Sequence, residues 1–161
     1  MKKLILFLLL SCLCCCALTA CGENQTESNQ PENNPQPQST EAYLTEKYSL
    51  DSDEIKIYDN SEPPQIIATI TDAEDILALQ NSMDFAACQK ATPENEYAGE
   101  ESFFIQFNDK TTIAIYNDIA YGRLGKGTPD ENGGLANSDA YYYMNQELLE
   151  TVLQMIEKYR L

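Results

Sequence analysis

Ser102-Phe103-Phe104-Ile105-Gln106-Phe107-Asn108-Asp109-Lys110-Thr111-Thr112-Ile113-Ala114-Ile115-Tyr116-Asn117-Asp118-Ile119-Ala120-Tyr121-Gly122-Arg123-Leu124 is the stretch on which the fold turns. Phe103, Ile105 and Phe107 recur at every second position, as do Ile113 and Ile115, which is the period that puts strand side chains on one face. The polar breaks Asn108-Asp109-Lys110 and Asn117-Asp118 carry residues that tolerate the left-handed backbone of tight hairpins. The pattern predicts strands at Ser102–Phe107, Thr111–Tyr116 and Ile119–Leu124, an antiparallel meander with one buried face.

Upstream, Ile55 and Ile57 alternate with charged residues in Glu54–Asp59, and Pro63-Pro64 separates that strand from a second at Gln65–Ile70. Thr71-Asp72-Ala73-Glu74 has capping-box spacing, with the Thr71 hydroxyl and the Glu74 carboxylate satisfying orphan N–H groups. A helix over about 72–82 follows, with Ile76, Leu77, Leu79 and Met83 in its apolar stripe. Phe85–Gln89 is a weaker strand. Downstream, Gly125–Ser138 holds four of the seven glycines and predicts a long, mobile loop. Tyr141-Tyr142-Tyr143-Met144 is a further strand. Asn145 then caps a helix over about 146–159, with Leu148, Leu149, Val152, Met155, Ile156 and Tyr159 turned inward. Its Glu147 and Glu150 lie near the N-terminus and Lys158 and Arg160 near the C-terminus, matching the helix dipole. The fold class is α+β: one domain, an antiparallel sheet of about five to six strands, and two helices packed on it.

The chain begins with Lys2-Lys3 and the apolar run Leu4–Leu18, followed by Leu18-Thr19-Ala20-Cys21. A positive start, an apolar stretch shorter than a membrane span and small residues before a cut are the marks of a signal peptide. These last four residues resemble the lipobox of bacterial lipoprotein precursors. The resemblance implies cleavage before Cys21, a diacylglycerol on its thiol, and a membrane-anchored, outward-facing protein. Residues 1–20 are then signal peptide, 21–42 the lipidated Cys and a disordered tether, and 43–161 the domain. The tether is dominated by Gln, Asn, Glu, Ser, Thr and Pro, with no aromatic, Lys or Arg from Gly22 to Ala42. As a flexible coil it reaches roughly 25 Å. The acylated start, this tether, Ile70–Ile76 and the Phe-x-Ile-x-Phe-x-Asp run Phe103–Asp109 are together similar to small uncharacterised lipoproteins of Gram-positive bacteria. Gly22 is not the Asp that resembles an inner-membrane retention signal, so in a two-membrane host the lipid is expected in the outer membrane.

Loss of Lys2 and Lys3 with the signal peptide leaves 8 basic residues against 26 acidic ones, a net charge of −18. Such a surface repels phosphate backbones, so nucleic acid is excluded as a partner. Cys12, Cys14, Cys15 and Cys16 also leave, Cys21 is lipidated, and Cys88 remains alone in the apolar Phe85-Ala86-Ala87-Cys88 as a buried, inert thiol. No histidine exists in the chain, which removes Ser/His/Asp and Cys/His nucleophilic schemes. Gly122–Thr128 fails the phosphate-loop spacing because Gly127 stands between Lys126 and Thr128. Asp130, Asn132 and Asp139 offer hard oxygens on a glycine-rich loop, the donor type calcium prefers, but without EF-hand order. Tyr121, Tyr141, Tyr142 and Tyr143 fall on late strands, with Tyr141 and Tyr143 on one face and Tyr142 on the other. Aromatic side chains with a polar tip favour binding when exposed. The expected function is non-enzymatic and cofactor-free: an interaction module binding an envelope protein or wall-associated ligand through the tyrosine face or the glycine-rich loop. The alternative is a solute- or calcium-binding accessory lipoprotein.

Overall fold

In the computed structural model, which describes residues 38–161, the period-2 stretches form a single seven-stranded antiparallel sheet. The strands are β1 (Ile55–Asp59), β2 (Ile66–Ile70), β3 (Gln89–Lys90), β4 (Phe103–Asn108), β5 (Thr111–Ile115), β6 (Tyr121–Gly125) and β7 (Tyr141–Tyr143). Their spatial order is β2-β1-β4-β5-β6-β7-β3. The expected α+β architecture is therefore present, with strand β3 taking the place of the weaker strand at Phe85–Gln89. Most of that segment is instead a 3₁₀ turn over Phe85–Ala87, capped by the Asp84 carboxylate. The lipobox, Cys21 and most of the tether lie outside the described residues.

Three helices, α1 (Thr40–Lys47), α2 (Ala73–Ser82) and α3 (Gln146–Tyr159), contribute to one core with the inner sheet face. Ile55, Ile57, Ile70, Ile105, Phe107, Ile113, Ile115 and Leu124 from the strands meet Leu79, Leu148, Leu149 and Val152 from the helices. Each such fully buried aliphatic side chain contributes about 1.5–3 kcal/mol relative to exposure. Asn145 caps α3 by accepting from the Glu147 N–H.

Several expectations are corrected. Helix α1 lies across the expected end of the tether, because Leu44 is fully buried and Ser39 caps the helix through the Ala42 N–H. Ser39–Ala42, expected in the tether, are thus part of a capped helix. The cap of α2 is Asp72, not Thr71: the Asp72 carboxylate accepts from both Glu74 and Asp75 N–H groups. Leu77 faces out, 54% exposed, leaving Ile76, Leu79 and Met83 as the buried stripe. The hairpin breaks need no left-handed Asn or Asp: among the described residues, Asn137 is the one non-glycine with positive φ. At the β4–β5 turn the Asn108 side chain instead accepts from the Lys110 N–H.

The glycine-rich loop is tied down rather than loose. Lys126 and Ala136 bridge antiparallel, Leu135 is buried, and the Thr112 hydroxyl donates to the Gly127 carbonyl at 2.5 Å. Both sheet ends are also closed off: β3 has two residues, while the Leu161 N–H donates to the Ile67 carbonyl and Arg160 bridges Ala68 on β2.

Candidate functional site

Alternation puts a second set of residues on the outer sheet face. Tyr58, Phe104, Ala114, Arg123 and Tyr141 form one cross-strand row over β1, β4, β5, β6 and β7. Tyr121 and Tyr143 pair in the next row, with Tyr116 beside them. Gly122, between Tyr121 and Arg123, permits this row: a Cβ there would stand 2.0 Å from the Ala114 carbonyl oxygen.

Two segments cover this face, Thr92–Glu101 and the glycine-rich loop. Between them opens a hollow of about 300 Å³ whose lining includes Phe104, Tyr116, Arg123, Tyr141, Glu101 and Gly133. Arg123 donates through Nε to Glu101 Oε1 at 2.5 Å and through a terminal nitrogen to Oε2 at 2.9 Å. The two-point pairing holds the guanidinium pKa above its ordinary value against the opposing effect of burial. Tyr141 donates to the same carboxylate at 3.1 Å, and burial, reinforced by Glu101, pushes its phenol pKa up. Arg123 also uses its third nitrogen on the Ser138 hydroxyl at 3.3 Å, so that three of its five N–H groups have partners among the described residues.

The tyrosines are contiguous but not an open patch. Tyr121 is fully buried, and Tyr141 and Tyr143 are half-buried. Tyr121 stacks on Tyr141 with centroids 5.2 Å apart and planes 6° from parallel, and tilts against Tyr143 at 4.8 Å. As the alternation requires, Tyr142 points the other way, into the helix-covered core, where burial raises its phenol pKa to about 12.

Asp130, Asn132 and Asp139 are not brought together as one ligand set. The Asp130 carboxylate accepts from the Asn132 and Gly134 N–H groups at 2.9 and 2.7 Å, closing a turn within the loop. Those bonds, that from Gly134 foremost, hold its pKa below the usual carboxylate range. Asn132 lines the hollow. Asp139 faces α1, where it accepts from Lys47 Nζ at 3.0 Å, Tyr43 Oη at 3.0 Å and Tyr48 Oη at 3.1 Å. Burial opposes its charge, yet the three donors outweigh that and lower its pKa. Among the described residues, no three Asp, Glu or Cys side chains group in a way that would hold a metal ion. Cys88 is free and buried, its thiol pushed up to about 11 by burial and the nearby Asp84.

Sequence reasoning missed Arg123, Glu101 and Tyr97. Arg123 is one of two arginines in the chain and sits mid-strand two residues after Tyr121, a signal that was available. Glu101 and Tyr97 belong to an acidic loop with no periodicity, and only the tertiary fold brings them to Arg123 and Tyr121.

No protein family, no curated protein and no solved structure matches the chain.

Proposed function

We propose that this chain is a lipid-anchored, extracytoplasmic, non-enzymatic interaction module that binds another protein of the cell envelope through the outer sheet face. The anchoring half of the reading rests on Leu18-Thr19-Ala20-Cys21 after a signal-like start. The polar chain before Ser39 then serves as the spacer. The observation that carries the binding half is the hollow in which Phe104, Tyr116, Tyr141 and Arg123 converge beside Gly133. It joins aromatic area to a guanidinium, the residue types that dominate protein–protein recognition. The chain as a whole is strongly acidic, which disfavours nucleic acid and anionic lipid as partners.

The test is in-cell crosslinking of the tagged full chain, with mass spectrometry of what co-purifies beyond a Cys21→Ala control. Enrichment of one envelope protein, lost on Arg123→Ala, is expected. Identical recovery from the wild type and the Cys21→Ala control overturns the anchoring half. Enrichment indifferent to Arg123→Ala overturns the assignment of the face.

A further inference from the structure

The segment Thr92–Glu101 lies over the tyrosines without being built into the sheet. Backbone bonds fix its flanks, from Ala91 N–H to the Tyr141 carbonyl and from Ser102 N–H to the Ile115 carbonyl. Between them the backbone bond is internal, Asn95 N–H to the Thr92 carbonyl. Eight of its ten residues are exposed; Tyr97 and Glu101 are the half-buried pair.

What the segment gives the face is specific. The Tyr97 ring sets its edge against Tyr116 and Tyr121, with centroids 5.4 and 5.9 Å away. The Glu101 carboxylate takes Arg123 and Tyr141. The carbonyls of Asn95 and Gly99 accept from the phenols of Tyr143 and Tyr116. A ring, a carboxylate four residues later and two main-chain carbonyls are what a peptide supplies.

The cover also fits imperfectly. Among the described residues the Tyr121 hydroxyl is the buried side-chain polar atom with no hydrogen-bond partner. The Tyr97 backbone N–H approaches it without reaching hydrogen-bonding geometry. A buried unpaired hydroxyl penalises the closed arrangement.

We propose that Thr92–Glu101 is an internal stand-in for the partner: a peptide segment carrying an aromatic residue followed four positions on by Asp or Glu displaces it. The incoming ring takes the place of Tyr97 between Tyr116 and Tyr121, and the incoming carboxylate takes the place of Glu101 on Arg123. This rests on the reading that the outer face is the binding face.

Two measurements on the full chain in detergent micelles test it. In the unaltered protein, nitration by tetranitromethane is followed at Tyr121 and Tyr142 by mass spectrometry, both rings being buried but only Tyr121 lying under the segment. Tyr121 is expected to react about tenfold or more faster, because local opening precedes global unfolding. Equal rates overturn the proposal. In a Tyr97→Ala/Glu101→Gln variant, a labelled synthetic peptide of the sequence Thr92–Glu101 is expected to bind, and the same peptide with Ala and Gln at its two key positions is not. Failure of the first peptide to bind, or equal binding of both, overturns it. An envelope partner captured in cells without peptide binding sinks the stand-in alone; peptide binding without any captured partner sinks the envelope-module reading alone.

Discussion

Glu101, at the end of an irregular segment, and Arg123, in the middle of β6, meet in a two-point ion pair at 2.5 and 2.9 Å, with 12% and 21% of their side chains exposed. The pair fastens a loop to the sheet at the rim of the hollow. Removing the cation strands a half-buried carboxylate, so Arg123→Met is expected to cost about 1–3 kcal/mol in urea unfolding. Glu101→Gln leaves an amide oxygen to accept and a guanidinium that reaches water, and is expected to cost less than about 1 kcal/mol. Equal losses would contradict this asymmetry.

Acid should loosen the attachment of α1. The Asp139 pKa is held below its ordinary 3.8, so its contribution is present above that value and is lost as pH falls through the lower folded value. Lys47 and Tyr48 are raised above 10.5 and 10.0, and their contribution is lost as pH rises beyond those figures. Unfolding midpoints followed against pH should stay level above the ordinary 3.8 of Asp139 and below the ordinary 9.0 of the Cys88 thiol, whose folded value is also raised, and fall on either side. Asp139→Asn should flatten part of the acid limb; an unchanged acid limb would remove Asp139 from the account.

Leu44 is the fully buried side chain of α1. Leu44→Ala should cost about 2–5 kcal/mol, and a fragment beginning at Ser49 should be less stable than one beginning at Gln38. Thermal melts of the two fragments decide the matter: indistinguishable midpoints would place α1 outside the cooperative unit.

A thiol with a pKa near 11 is about one part in ten thousand thiolate at pH 7. Cys88 should therefore react with a disulfide reagent only as fast as the protein unfolds, accelerating with urea. Rapid stoichiometric reaction in native buffer would show the thiol to be accessible.

The sheet was readable because its inner face obeys a simple period: Ile105, Phe107, Ile113 and Ile115 alternate without interruption, and the caps of α2 and α3 mark their starts to within a residue. Helix α1 was hidden because Thr40–Lys47 offers one fully buried apolar residue, Leu44, in a polar run whose first three residues read as tether. The outer face was legible only in its tyrosines. Their burial depends on Thr92–Glu101, whose residues have no pattern of their own and acquire meaning from long-range contacts such as Tyr97 with Tyr121. Asp130 and Asp139 looked like ligands because composition does not reveal that backbone N–H groups and the Lys47–Tyr48 pair have already claimed their oxygens.

The closed ends of the sheet bear on behaviour at high local concentration. A long bare edge strand is a template onto which another chain can add. Here one terminal strand is two residues long, and the other meets Arg160 and Leu161 along its free side. Copies crowded side by side are thus denied the edge-to-edge pairing that leads to fibrillar aggregation.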